Sequence, residues 1–232
     1  MDSDKSDVNN LQVLHEDNHL IIINKRVGDI VQGDKTGDKP LSDITKEYLA
    51  KKYSKPGDVF LGVVHRLDRP TSGAVIFAKT SKALARLNKM LVDKKIDKTY
   101  WAIVDGKISE PQTLIHYLKK NPKNNKATVY SNQTEGAKRA VLHLEVLRHL
   151  DRYTLLEIDL ETGRHHQIRS QLAFIGHPIK GDVKYGFRRP NKNAGINLHA
   201  RKIAFVHPVS QEEIEVVAPT PIEDTLWNIK DI

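Results

Sequence analysis

The sequence predicts an α+β fold, and three observations carry that expectation. Short apolar runs rich in Val and Ile, bounded by Gly, Pro, Asn and Asp, recur along the 232-residue chain. Apolar residues at helical spacing occupy only a few segments. Strands and helices do not alternate in the strict strand–helix–strand order that a parallel sheet requires, which points to α+β. No repeat of solenoid period appears and no linker divides the chain, which is long enough to bury a substantial core.

Taken in order, residues 1–10 are polar and read as a flexible tail, with one domain over 11–232. Leu11–Leu14 and Leu20–Ile23 are apolar runs split by Glu16-Asp17-Asn18, a hairpin pattern. Gly28 to Gly33 with Lys35 and Thr36 imitates a phosphate loop, but Asp34 stands where the lysine belongs, so a glycine-bearing loop is the better reading. Ser42 to Tyr53 reads as a helix, with Ser42 as N-cap and Ile44, Tyr48 and Leu49 on one face. Val59–Val64 and Ala74–Ala78 read as strands joined by a tight polar connection. Thr80 or Ser81 caps a helix whose stripe is Ala83, Leu84, Leu87, Met90 and Leu91. Tyr100–Val104 reads as a strand, and Lys119–Lys126 as a basic loop between strand-like runs. Ala140–Val146 and Tyr153–Leu160 pair across Leu150-Asp151-Arg152. His166 to Ile175 reads as a helix, with Ile168, Leu172 and Ile175 inward and Gly176 closing it. Ile203–Val206 and Ile214–Val217 make a last strand pair, and Asp224 to Ile229 a short closing helix.

Composition narrows function. Lys plus Arg number 37 against 29 acids, a net charge of +8, which suits a polyanionic partner without proving one. The absence of cysteine excludes disulfides and thiolate zinc sites. No stretch resembles a signal peptide or approaches the ~20 apolar residues of a membrane span, so a soluble, cytoplasmic protein is expected.

The chemistry-bearing stretch is Gly62-Val63-Val64-His65-Arg66-Leu67-Asp68-Arg69-Pro70-Thr71-Ser72-Gly73. It sets one carboxylate, Asp68, between the guanidinium groups of Arg66 and Arg69. A carboxylate beside cations stays ionised near neutral pH and can act as nucleophile or base. A solvated turn with surface ion pairs would look much the same on spacing alone.

The run His-Arg-Leu-Asp-x-x-Thr-Ser-Gly resembles the catalytic signature of the RluA-type pseudouridine synthases. Four further segments resemble that family in the same order. They are Lys98 to Gly106, Thr162 to Arg169, Gly176 to Asp182 with Tyr185-Gly186, and Leu198-His199-Ala200 running to Phe205-Val206-His207-Pro208. The resemblance implies a pseudouridine synthase fold: a long mixed, mostly antiparallel sheet, two related α+β halves and an active cleft between them. Only about ten residues precede the first strand, so it implies the catalytic domain without the additional N-terminal RNA-binding domain of many members.

It also implies an isomerase of uridine in structured ribosomal or transfer RNA, monomeric and needing neither metal nor cofactor. Asp68 matches the essential aspartate, which either attacks the ribose carbon or removes the 2′ proton. Tyr100 matches the active-site tyrosine, and Arg169 the arginine that pairs with the aspartate. Arg66 resembles the arginine that helps extrude the target nucleotide. Arg69, Arg164, His166 and Gln167 complete the candidate RNA-binding set. His165 departs from the usual pattern, where threonine is commoner. Two rivals remain. A metal hydrolase would use His165, His166, His177 and His199, but these lack close-set ligand spacing, and adjacent histidines point to different faces of a helix. A catalytically silent RNA-binding protein of the same fold is the second.

Overall fold

The computed structural model describes residues 5–55, 57–222 and 224–227. Two compact units divide the chain, one running to Lys98 and resuming at Ala200, the other spanning Thr99–His199. In chain order the strands and helices are β1 (Val13–Glu16), β2 (Leu20–Lys25), α1 (Leu41–Lys52), β3 (Gly62–Val63), β4 (Ser72–Ala78), α2 (Ser81–Val92) and β5 (Ile96–Asp105). They continue with β6 (Gln112–Asn121), β7 (Lys126–Tyr130), β8 (Lys138–His149), β9 (Tyr153–Leu160), α3 (Gln167–Phe174), β10 (Leu198–Val206) and β11 (Glu213–Val217). The expected α+β class is what the chain adopts.

In the first unit, β1, β2, β4 and β10 lie side by side, with β3 on β4 and β11 on β10. The β1–β2 turn is made by Asp17, whose carboxylate accepts the backbone N–H groups of His19 (2.6 Å) and Leu20 (2.9 Å). That local bond is why an Asp-Asn pair reverses the chain there. Leu20–Ile23 and Ala74–Ala78 are fully buried, so β2 and β4 form the unit's spine. Thr80 caps α2, its hydroxyl accepting Ala83 N–H at 3.1 Å. The expected stripe of α2 packs onto Leu20, Ile22, Ile76, Ile203 and Phe205. Each such side chain, fully buried, contributes about 1.5–3 kcal/mol.

Three local expectations need correction. Pro40, not Ser42, is the N-cap of α1, and it supplies no side-chain bond. The loop before the helix does that work: Ile30 O and Val31 O accept the N–H groups of Leu41 (2.7 Å) and Ser42 (3.1 Å). With its first donors satisfied by backbone, the helix needs no capping hydroxyl. Residues 5–10, expected within a flexible tail, are anchored by Ser6, whose N–H and hydroxyl donate to the Asp29 carboxylate at 3.1 and 2.7 Å. Residues 1–4 lie outside the described residues. The closing helix is a single 3-10 turn over Thr225–Trp227; Asn228 and Ile229 lie outside the described residues.

The second unit is antiparallel throughout, in the order β5-β9-β8-β6-β7. The basic loop expected over Lys119–Lys126 is shorter, because Lys119, Lys120 and Lys126 lie on strands and β6 and β7 turn over residues 122–125. Helix α3 ends as expected, with Gly176 at φ +88°. No helix among the described residues is long and apolar enough to cross a membrane.

Candidate active site

The first unit carries the Asp68 loop. Leu67 and Val64 are buried and pin it from within, and Asp68 O accepts Thr71 N–H at 3.0 Å to close its turn. His65 Nε2 accepts Ile76 N–H at 3.1 Å, so the ring's own proton sits on Nδ1. Burial, with Lys98 nearby, lowers the pKa of His65 to about 3, which keeps it a neutral acceptor throughout the physiological range. At the far end of the loop Gly73 has φ +114°, and a Cβ there would lie 2.4–2.5 Å from Ala200 backbone atoms. Only glycine lets the loop run this close to β10.

Of the two arginines that flank Asp68 in sequence, Arg69 is engaged by other partners. Arg69 turns its head to Asp38 and donates to Thr36 Oγ1 at 2.7 Å, with Asp34 at 3.7 Å. Arg66 is exposed. Lys25 is a buried cation of this unit, at 0 % exposure. Its ammonium donates to Arg26 O (2.9 Å) and Arg69 O (3.1 Å), and Arg69 O also accepts Gly28 N–H at 3.0 Å. Burial lowers the pKa of Lys25 to about 7, opposed by the negative charges of Asp29 and Asp68. The residue after Asp68 is thus fastened by its carbonyl, and the fastener feels the Asp68 charge. Sequence reasoning missed Lys25, since a lysine ending an apolar strand ordinarily points to water.

The cost of burying Lys25 has a pH signature. Folded Lys25 loses its proton near pH 7, whereas the unfolded side chain holds it to about 10.5. Between those values the unfolded chain binds more protons, so stability rises with pH, and the penalty is fully present below about pH 7. Wild type should therefore gain stability relative to Lys25→Met by roughly 2–4 kcal/mol between pH 6.5 and pH 9.5. Urea unfolding of both proteins at the two pH values checks this; a pH-independent difference would contradict it.

In the second unit Tyr100 is buried, on β5 opposite Ile158 of β9. Arg169 is 5 % exposed and Asp182 1 % exposed. Arg169 Nε donates to Asp182 Oδ2 at 2.7 Å and a terminal nitrogen to Oδ1 at 2.8 Å, a two-pronged buried ion pair. The Tyr185 ring covers the guanidinium at 5.1 Å from its centroid. Tyr185 Oη bonds His166 Nδ1 at 2.8 Å and accepts Ala127 N–H at 2.7 Å. Asp182 and Tyr185 belong to the segment Gly176 to Asp182 with Tyr185-Gly186, and their part in holding Arg169 is a feature that sequence reasoning misses. Their signal was the spacing from a buried arginine that needs a counter-charge.

The remaining candidates divide. Arg164 is exposed, with Nε donating to Arg139 O at 3.0 Å. Gln167 is buried: its carbonyl accepts Thr162 hydroxyl (2.8 Å) and Arg164 N–H (3.0 Å), and its amide donates to Val141 O (3.0 Å). Gln167 therefore shapes the turn that presents Arg164. His166, also buried, takes φ +53°, a left-handed backbone that a non-glycine residue seldom adopts. That geometry places both histidines before α3, so His165 and His166 do not splay on a helix but stack at 3.8 Å. His177 meets Asp105 O at 2.7 Å. Among the described residues no group of three or more histidines and carboxylates is set to hold a metal.

Two solved human proteins share this fold. RNA pseudouridylate synthase domain containing 4 superposes with a TM-score of 0.76 at 23 % identity, covering 91 % of this chain and 89 % of that one. RNA pseudouridylate synthase domain containing 1 gives 0.75 at 24 %, covering 93 % and 86 %. The chain thus has the pseudouridine synthase fold. The family model described as RNA pseudouridylate synthase matches residues 19–174. An uncharacterized RNA pseudouridine synthase of Bacillus subtilis, YhcT, is 36 % identical over 92 % of this chain and 70 % of its own length. Ribosomal large subunit pseudouridine synthase D of Zymomonas mobilis is 34 % identical over 91 % and 69 %. The tRNA pseudouridine synthase C of Vibrio parahaemolyticus is 32 % identical over 93 % of this chain and 92 % of its own. The chain belongs to the RNA pseudouridylate synthase family and is an isomerase.

Proposed function

We propose that this chain converts uridines of ribosomal or transfer RNA to pseudouridine, with Asp68 as the catalytic carboxylate. The observation that carries the assignment is the Asp68 loop itself: a carboxylate whose neighbours on both sides are immobilised by a buried lysine, a neutral histidine and a tight glycine. Preorganisation of this kind suits a group that must meet one sugar carbon or one proton. The bond from uracil nitrogen 1 to the ribose breaks, and uracil carbon 5 bonds to the same sugar carbon. Carbon 5 gives up its proton and nitrogen 1 gains one, so the product is an isomer and no electrons are exchanged with a cofactor.

Tyr100 stacks on the detached uracil and limits its escape. Arg169 sets the charge and orientation of the catalytic carboxylate. Arg66, exposed beside it in sequence, fills the place of the extruded nucleotide and lowers the cost of unstacking. Mapping pseudouridines in ribosomal and transfer RNA from cells with and without this gene tests the substrate class. Sites lost in neither RNA would overturn it.

RNA grip falls to the β6–β7 hairpin and its surroundings. Residues 112–139 carry six basic side chains (Lys119, Lys120, Lys123, Lys126, Lys138, Arg139) against one acid, Glu135. Lys120, Lys123 and Lys138 are exposed. Converting these three to Gln should weaken RNA binding and flatten its dependence on log[salt] by roughly 2 units of slope. Filter binding between about 50 and 200 mM salt measures it, and an unchanged slope would remove the hairpin from the interface.

A further inference from the structure

We infer that Asp182 and Tyr185 are positioning residues for the reaction, acting through Arg169. The inference rests on the catalytic reading of Arg169 above and goes beyond it, since it says how that side chain is aimed. A guanidinium has five N–H donors in one plane. Asp182 takes the Nε edge with two bonds of 2.7 and 2.8 Å, which fixes both the position and the plane of the group. Whatever Arg169 does to the reacting groups is then done through its other N–H groups.

Tyr185 fixes the remaining freedom. Its ring lies 5.1 Å from the guanidinium carbon, within range of a cation–π contact. The ring is itself held by its hydroxyl, bonded to His166 Nδ1 and Ala127 N–H. The first bond ties it to the residue before α3 and the second to the start of β7, so the cover over Arg169 is braced from two elements. Asp182 is braced likewise, its N–H donating to Ile179 O at 2.9 Å and its carbonyl accepting Tyr185 N–H (3.0 Å) and Phe187 N–H (3.1 Å). A buried, oppositely charged pair held at this many points is costly if its purpose is stability alone, since apolar side chains of similar volume would serve as well.

A double-mutant cycle on the single-turnover rate at saturating RNA separates positioning from general support of the fold. Asp182→Asn keeps the shape but removes the charge and one acceptor, and should slow the chemical step roughly 100-fold while RNA affinity changes less than about threefold. Arg169→Lys should slow it by a similar factor, and the double variant should be no slower than either single one. Effects that multiply, or an Asp182→Asn rate near wild type beside a crippled Arg169→Lys, overturn this inference and leave the role of Arg169 standing. An Arg169→Lys enzyme of full activity overturns the reading of Arg169 instead. Should Asp182→Asn fail to fold, the ring decides: Tyr185→Leu should lose at least tenfold more rate than Tyr185→Phe, which keeps the cover. Equal losses in those two variants overturn the inference.

Discussion

Asp68→Asn is expected to abolish isomerisation, with a loss of at least about 10³-fold, while RNA affinity stays within about threefold of wild type. The substitution is nearly isosteric, and it leaves Thr71 N–H bonded to the Asp68 carbonyl and Lys25 bonded to the next one along. The loop backbone therefore keeps its shape, while the side chain loses its charge and one acceptor oxygen. Tritium release from RNA labelled at uracil carbon 5 follows the reaction directly, since that atom gives up its hydrogen as the new bond forms. The same experiment separates an enzyme from a catalytically silent binding protein: a binder should not lose function with the carboxylate. Turnover within tenfold of wild type would remove Asp68 from the mechanism.

Much of this site was legible because its signals are local. The Asp68 turn announces itself through Pro70 and Gly73, the α2 stripe through 3.6-residue spacing, and the Asp17 hairpin through a side chain bonding its own backbone. What sequence could not give was set by partners distant in the chain. Lys25 reaches the Asp68 loop across 44 residues, and nothing within its own strand distinguishes it from a surface lysine. Asp38 draws the head of Arg69 aside across 31 residues, which no reading of the local charge pattern reveals. Ser42 looked like an N-cap because hydroxyls usually are, but backbone carbonyls of the preceding loop had already met the first donors of α1. Gln167 and His166 look polar and accessible in sequence, yet both are buried: the Gln167 amide braces the turn at Thr162–Gln167, and the His166 ring bonds Tyr185 Oη.

Arg169 and Arg66, both assigned to the same reaction, should fail in different ways. Arg169→Ala leaves the Asp182 carboxylate buried without its counter-charge, at a cost on the order of 3–5 kcal/mol. Lower stability should therefore accompany a damaged chemical step, whatever RNA is offered. Arg66 is exposed and anchors nothing of that kind, so Arg66→Ala should leave the unfolding midpoint unchanged. Its effect should appear in opening the RNA, where extruding a nucleotide costs a few kcal/mol and least for a base already unstacked. The loss for Arg66→Ala should accordingly be largest on a folded stem-loop and shrink by tenfold or more on a variant whose target uridine is loosened by mismatches. Single-turnover rates for both variants on both RNAs, with urea unfolding alongside, give four rates and two midpoints. Equal factors on the two RNAs for Arg66→Ala would show that this arginine acts on chemistry rather than on extrusion. A loss that follows RNA structure in Arg169→Ala would place the second arginine in RNA opening too, and the division of labour between them would fall.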